Sequence, residues 1–231
     1  MNEKINRFFC ICRQIILKPA EFTKIKDDSL WHDQALIFSL VVSWMIAAFM
    51  TIAVFVIQFW PIVIYMVEKV KGTSFLIVSP VILVVILDFF VMTWVLLGGI
   101  LMVLWFIGFF LLGVCMHYLF VLLGGKGEVF SAVKASFYSG AVLLFAVIPT
   151  ILTVFVRFGL ISGQVFVIVF YITYGFICLF LLYLWSNIGN KLYKLDNIKS
   201  YIGAFLPFMA VVLIGAIINI KLIDKIVNLI K

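Results

Sequence analysis

Long apolar runs separated by short polar segments make up most of the chain. Five windows of at least 20 residues contain no Asp, Glu, Lys or Arg: 34–67, 89–125, 135–156, 158–190 and 201–220. About 20 apolar residues cross a bilayer core as a helix, and a backbone in lipid must satisfy its own hydrogen bonds. The pattern therefore predicts an all-α integral membrane protein with about five transmembrane helices. We place them at 35–58, 98–123, 133–156, 164–186 and 201–220.

The composition supports lipid as the main solvent of the chain. Hydrophobic residues make up 66% and charged residues 12%, against roughly 45–50% and 25% in soluble domains. These values exclude a soluble enzyme, a nucleic-acid-binding domain and a disordered tail. The net charge of +7 comes from 17 Lys and Arg that lie mostly between the apolar runs. Such residues set membrane orientation and contact anionic headgroups, so we expect the lipid bilayer, and no nucleic acid, as a partner.

One stretch is too long for a single crossing. Residues 79–123 number 45 and would form a helix of about 67 Å. Glycine weakens a helix interior, so Gly98-Gly99 predicts a break there. Residues 79–97 would then be either a re-entrant or interfacial helix, or a sixth span. Five spans place eleven Lys and Arg on the side of the N-terminus and six on the other, whereas six spans place ten and seven. The positive-inside rule favours five spans with a cytoplasmic N-terminus.

Both ends of the chain carry amphipathic patterns. Apolar residues in 4–17 recur at helical spacing, which predicts a short helix on the inner leaflet. Its Lys4, Arg7 and Arg13 would reach the headgroups, and Pro19 would end it. Near the C-terminus, polar side chains at helical spacing predict that the last helix leaves the membrane; they are Lys221, Asp224, Lys225 and Asn228. We divide the chain into a cytoplasmic amphipathic head, 1–33, and a transmembrane helical domain, 34–231.

The sequence lacks the residue sets that catalysis, metal binding or cofactor binding require. No Ser/His/Asp set and no His/Cys/Asp/Glu cluster with ligand spacing is found, and Cys10 and Cys12 have no further ligand near them in sequence. We therefore predict a non-enzymatic protein without a cofactor or a metal.

A glycine-rich segment around Lys126 resembles a phosphate-binding loop only superficially. That motif needs a glycine where Phe120 stands and a Ser or Thr where Gly127 stands. Gly124, Gly125 and Gly127 instead predict a tight cytoplasmic turn, because glycine tolerates positive φ.

Two isolated polar residues are candidates for function. Asp88 is the only carboxylate well inside an apolar run. A charge at that depth costs about 2.5–3.5 kcal/mol, so Asp88 is a candidate for a pathway, a proton site or a partner contact. The alternative is a solvated residue near the outer interface. His117, near the cytoplasmic end of its span, could titrate or could simply form a local hydrogen bond.

The third span carries small residues at four-residue spacing. Ala132, Ser136 and Gly140 form one such row, and Ser131, Ala135 and Ser139 form another. Small residues let helix backbones approach closely in lipid. The neighbour could be another helix of this chain or a partner protein.

Several segments resemble the Yip family, the Ypt/Rab-interacting-protein domain. The main one runs from His117 through the glycine turn to Gly127 and is followed by Phe130, Val133, Tyr138 and Pro149. The segment from Pro19 through Phe22 to Ile25 resembles the family's opening, and Trp185 to Ser200 resembles its last cytoplasmic loop. The chain departs from the family where a proline often follows the tyrosine, because Ala141 and Val142 stand there.

The resemblance implies five transmembrane helices, a cytoplasmic N-terminus and a partner. Eukaryotic members of the family bind prenylated small GTPases in vesicle traffic, but a 33-residue head is a poor GTPase platform. The chain is more similar to small bacterial members that accompany MacB-type ABC exporters. This implies a cell-membrane accessory subunit that binds an exporter permease or adaptor and stabilises a complex protecting against a toxic peptide.

Two other functions remain open at the level of the sequence. Asp88 and a broken helix at Gly98-Gly99 would suit a transporter or lipid-handling protein acting alone. A GTPase-binding trafficking protein is expected only if the source is eukaryotic.

Overall fold

The computed structural model describes residues 2–19, 23, 31–69 and 73–230, with side chains at all of these except 2–5, 31–33, 60, 63, 66–67, 73–78, 211, 215 and 218–230. Within these ranges the chain is helical and contains no strand. One 3₁₀ segment, Gly140–Ala146, joins two of eight α-helices. The helices are α1 Asn2–Leu17, α2 Trp31–Gln58, α3 Trp60–Lys69, α4 Thr73–Leu122, α5 Val129–Ser139, α6 Val147–Arg157, α7 Gly163–Lys191 and α8 Asn197–Ile230.

Five stretches are long and apolar enough to cross a membrane. They are Gln34–Gln58, Ser79–Leu122, Val129–Arg157, Gly163–Lys191 and Asn197–Ile214. Each contains one of the predicted spans or most of it, so the prediction of an all-α membrane protein with five membrane-spanning helices is confirmed. The C-terminal residues predicted to be amphipathic belong to α8, but their side chains lie outside the described ones.

The predicted break at Gly98-Gly99 is wrong, because α4 is one continuous helix of 50 residues. Residues 79–97 are its N-terminal half, neither a re-entrant element nor a separate sixth span. A glycine costs a helix only about 1 kcal/mol, which is less than the cost of unpaired backbone groups in an apolar environment. Gly98 serves packing instead, since a Cβ there would lie 2.7 Å from the Trp44 ring of α2.

Successive spanning helices pack antiparallel. The ring centroids of Trp44 and Trp94 are 5.6 Å apart, and those of Phe59 and Phe89 are 4.1 Å apart, so α2 and α4 run in opposite directions. The same relation holds for α4 with α5 and for α7 with α8. Short connections between helices favour this arrangement.

A row of small residues that sequence inspection missed lets α2 pack closely against several neighbours. Ala35, Ser39, Ser43, Ala47 and Thr51 follow one another at four-residue spacing, and all are fully buried. Along its length α2 packs against α4, α5, α6 and the 3₁₀ segment. Small side chains at this spacing allow that many neighbours to approach one helix.

The N-terminal helix is amphipathic as predicted, but its apolar face is not free for the inner leaflet. Ile11, Cys12 and Ile15 are buried in the core of the bundle, and α1 packs against the 3₁₀ segment. Arg7 donates a hydrogen bond to Gln34 at the start of α2. Burial of apolar area against protein removes that face from lipid, while Arg7 and Arg13 stay exposed. The side chain of Lys4 lies outside the described ones.

Thiol labelling should report whether α1 is docked. Cys10 is exposed, whereas Cys12 is buried, and burial raises the pKa of the Cys12 thiol to about 11. The thiolate is the reactive form, so a maleimide at neutral pH should label Cys10 at least about tenfold faster than Cys12. The comparison uses Cys12→Ser and Cys10→Ser variants in a background with Cys115→Ala and Cys178→Ala. Equal rates in the two variants would show that α1 does not bury this face.

Candidate functional site

Four helix ends meet around the buried ring of Tyr193. This end of the bundle, which we call the loop end, carries residues 123–128 between α4 and α5 and residues 192–196 between α7 and α8. Tyr193 is 1% exposed, although it lies in a connecting loop. Its ring packs beside Phe120, with ring centroids 5.1 Å apart.

The glycine turn predicted from the sequence ends α4 and fits around this ring. Gly124 has φ +94°, and its N–H donates to the Val121 carbonyl (2.9 Å), while the Gly125 N–H donates to the Phe120 carbonyl (2.9 Å). These two bonds form a Schellman cap, which requires a left-handed residue at the position of Gly124. The prediction of a tight turn is therefore confirmed.

The other two glycines of the turn are required by proximity to Tyr193. A Cβ at Gly125 would lie 2.8 Å from the Tyr193 Cβ, and one at Gly127 would lie 2.7 Å from its ring. A larger residue at either position would force the turn and the tyrosine apart. The spacing of Gly124, Gly125 and Gly127 thus reflects one cap and two close approaches.

A hydrogen-bonded chain joins His117, Tyr193 and the backbone of Glu128. The Nδ1 of His117 lies 2.7 Å from the Tyr193 hydroxyl, and that hydroxyl donates to the Glu128 carbonyl at 3.1 Å. Because the hydroxyl has one proton, His117 Nδ1–H must be the donor when that proton points to Glu128. Burial raises the pKa of Tyr193 to about 12, so its hydroxyl keeps its proton at neutral pH. His117 therefore forms a local hydrogen bond, which is the simpler of the two roles predicted for it.

The loop between α7 and α8 is folded back onto the end of α7. The Leu195 N–H donates to the Gly189 carbonyl (3.1 Å), and Asn190 Nδ2 donates to the Leu195 carbonyl (3.2 Å) and to Asn197 Oδ1 (2.6 Å). The Lys126 N–H donates to the Tyr193 carbonyl at 3.2 Å, which ties the two loops together. The loop end is thus fixed by hydrogen bonds as well as by packing.

Five of the residues singled out from the sequence lie together at the loop end: His117, Gly124, Gly125, Lys126 and Gly127. Tyr193, which joins them, was missed. Its signal was weak, because a tyrosine in a short loop next to Lys194 suggests an exposed side chain. Only its neighbourhood, the segment from Trp185 to Ser200, was noted.

The small residues of the third span pack inside the chain. Ser136 Oγ lies 2.7 Å from the Phe109 carbonyl of α4, and a Cβ at Gly140 would lie 3.1 Å from the Trp105 indole nitrogen. Ala132 is fully buried on the same face of α5. The sequence left open whether these small residues pack on a helix of this chain or on a partner protein. In the structure they pack on α4 of the same chain.

The second small-residue row of the third span meets α7. The Trp185 indole N–H donates to Ser139 Oγ (3.0 Å), which in turn donates to the Ser136 carbonyl (2.6 Å). Trp185 is fully buried. Trp185 lies near the end of its span, yet its indole packs on a neighbouring helix rather than at the lipid–water interface.

Asp88 does not belong to this cluster. It is exposed on α4, one residue before Phe89, whose ring packs on Phe59 at the end of α2. We call this opposite end of the bundle, where α2 meets α3 and where α6 ends, the far end. No hydrogen bond or ion pair of Asp88 is found in the described part of the chain. Its surroundings match the solvated or partner-facing alternatives better than a buried proton site.

The arrangement at the loop end fixes the two connecting loops and leaves their charged side chains exposed. Among the described residues, no group of three or more His, Cys, Asp or Glu is arranged to hold a metal ion. The polar groups around Tyr193 are bonded to one another, so they fix the loops rather than point into an open cavity.

The fold and this cluster together define a multi-pass α-helical membrane protein. Comparison with known proteins finds no matching family model, no similar curated protein and no similar solved structure. The Yip-family resemblance therefore stays a prediction. Of the segment offered as the family's opening, Ala20 to Phe22, Lys24 and Ile25 lie outside the described residues.

Proposed function

We propose that this protein is a non-enzymatic accessory subunit of a membrane complex, with the N-terminal half of α4 as its partner-binding element. The partner would be the permease or adaptor of a MacB-type ABC exporter that protects a bacterial cell against a toxic peptide. The protein would lie in the cytoplasmic membrane with its loop end inside. The observation that carries the proposal is the large apolar surface of α4 that no other described helix covers.

This surface includes most of the helix circumference. One strip of α4, which includes Phe89, Phe90, Trp94 and Gly98, packs against α2. Most of the other large apolar side chains described in this half are exposed; they include Val81, Leu83, Val84, Val85, Leu87, Met92, Val95 and Leu96. Contiguous apolar surface of this kind marks a protein or membrane contact.

The length of α4 argues for protein rather than lipid over part of it. A helix of 50 residues is about 75 Å long, more than twice a ~30 Å core. Phe89 lies beside the end of α2, so residues 79–88 continue about 15 Å beyond that end. An apolar helix that extends past its neighbour gains stability if a partner covers it.

Asp88 adds a polar requirement to this surface. An exposed carboxylate next to apolar side chains is costly in hydrocarbon unless a cation or a hydrogen-bond donor approaches it. A basic or hydroxyl-bearing residue on the partner would satisfy it. The identity of the partner as an exporter subunit rests on the family resemblance alone.

Co-purification in a gentle detergent tests the proposal. The tagged wild-type chain should recover the exporter permease or adaptor, and Leu87→Gln with Asp88→Asn should lower that recovery about tenfold or more, equivalent to about 1.4 kcal/mol. Leu179→Gln is a matched control, because Leu179 on α7 is 67% exposed and Leu87 is 61% exposed. Failure of the wild type to recover either subunit while permease and adaptor stay together would overturn the proposal, as would equal loss in the control.

One of the two sequence features that suggested a transport function is absent from the structure. Transport or lipid handling by the chain alone was suggested by Asp88 and by a broken helix at Gly98-Gly99, and α4 is unbroken there. The GTPase-binding alternative stays a prediction that depends on a eukaryotic source.

A further inference from the structure

We propose that the loop end is a binding site for the phosphate headgroup of an anionic phospholipid, formed by Lys126, Lys191 and Lys194. This site is separate from the α4 surface and does not depend on the exporter assignment. All three lysine side chains are exposed. No ion pair of these side chains is found within the described ranges.

The backbone brings the three lysines together although they come from two loops. The Lys126 N–H donates to the Tyr193 carbonyl, so Lys126 lies beside the peptide that joins Tyr193 to Lys194. The bond from Leu195 N–H to the Gly189 carbonyl closes a tight turn that contains Lys191 and Lys194. The three positions therefore belong to one small, hydrogen-bonded surface.

This surface is held in shape before any ligand arrives. Lys194 has φ +57°, a left-handed conformation that is uncommon for residues other than glycine. The hydrogen bonds of Asn190, Leu195 and Tyr193 keep the loop in this form. Lysines on a fixed backbone lose less freedom on binding than lysines of a mobile loop, so more of the attraction appears as affinity.

The residues around the lysines place them at headgroup depth. Tyr118 and Leu122 at the end of α4, and Ile198 and Tyr201 at the start of α8, are exposed. Tyrosines are enriched at membrane–water interfaces, and exposed aliphatic side chains beside them indicate adjoining acyl chains. A soluble anion would contact the lysines alone, whereas a phospholipid would contact the lysines with its headgroup and the apolar border with its acyl chains.

The balance of charge favours an anion at this end. Counting the exposed ionic groups of the loops and adjoining helix ends, four lysines, with Lys199 as the fourth, outnumber the carboxylates of Glu128 and Asp196. Among the side chains described at the far end, the exposed Lys69 and Arg157 are balanced by Glu68 and Asp88. Basic residues near an anionic leaflet each contribute about a fivefold increase in affinity, since roughly 1 kcal/mol per residue applies.

Lipid titration of the purified full chain tests the proposal. The protein is placed in a neutral detergent and titrated with phosphatidylglycerol or phosphatidylcholine, and bound lipid is counted by native mass spectrometry. We expect phosphatidylglycerol to bind at least about tenfold more tightly, and the difference to shrink as salt is raised to 0.5 M. Lys126→Gln with Lys194→Asn should abolish the preference; asparagine is chosen because it tolerates positive φ.

A charge-matched variant and a soluble competitor complete the design. Lys69→Gln with Arg157→Gln also removes two cations, but at the far end, and should keep the preference for the anionic lipid. Glycerol phosphate, which has the anion without acyl chains, should not displace phosphatidylglycerol at equal concentration. Equal binding of the two lipids by the wild type would overturn the proposal. So would loss of preference in the far-end variant, or full displacement by glycerol phosphate.

Discussion

Gly113→Ala should destabilise the protein by about 1–3 kcal/mol, the usual cost of overpacking a well-packed contact. A Cβ at Gly113 would lie 2.7 Å from the Val133 Cα and 2.8 Å from Ser136 Oγ. The first of these is a backbone atom, so a rotamer change cannot relieve the clash and α4 must move away from α5. That movement would lengthen the hydrogen bond from Ser136 to the Phe109 carbonyl. The midpoint of heat-induced loss of monodisperse protein in detergent measures the effect.

Gly108→Ala is the matched control for this substitution. Gly108 belongs to the same helix, and no atom lies within 4 Å of a Cβ placed there. Because alanine favours a helix more than glycine does, this variant should be neutral or slightly more stable. A fall in the midpoint of the same size for both variants would contradict the close approach of α4 and α5.

Tyr193→Ala should cost about 3–5 kcal/mol, as for other large aromatic side chains removed from a core. The ring is almost fully buried and fills the space between Phe120 and the glycine turn. Its loss would leave a cavity at the point where both loops meet. Tyr193→Phe keeps the ring but leaves the Glu128 carbonyl and His117 without their partner, so we expect a smaller cost of about 1–3 kcal/mol.

The same thermal assay separates the two contributions of Tyr193. Tyr118→Ala is the control, because Tyr118 is 63% exposed and should change the midpoint little. His117→Ala added to Tyr193→Phe should cost less than the sum of the single changes, since both remove one hydrogen bond. Additive effects would show that the hydroxyl and the imidazole do not interact in solution.

The elements of this fold were accessible from the sequence because the cost of charge in hydrocarbon is large and local. Each charge-free window had to become helical, and Pro19 had to end the amphipathic N-terminal helix. The glycine turn was also predictable, since Gly124 satisfies a cap with a left-handed residue. Each of these features depends on a few residues that are neighbours in the sequence, so it could be predicted without knowing the rest of the fold.

Features set by contacts between distant parts of the chain were not predictable in this way. Whether Gly98 breaks a helix depends on Trp44, and the role of Gly127 depends on Tyr193. In helices that are apolar on every face, hydrophobicity does not distinguish lipid-facing from protein-facing residues. For that reason the burial of Trp185, the burial of the apolar face of α1 and the close packing of α2 emerged only from the structure.

The 3₁₀ segment in the third span changes the rotational phase of the helix. Each residue turns by about 120° in a 3₁₀ helix and by about 100° in an α-helix, so seven residues accumulate an offset of about 140°. α5 packs against α4 as well as α2 and α7, whereas α6, in which Pro149 and Thr153 are buried, packs mainly against α2 and α7. A single straight α-helix would have continued the row of Ala132, Ser136 and Gly140 along one side only. The tighter winding rotates the contact face within one crossing, so that its two halves, α5 and α6, pack against different sets of helices.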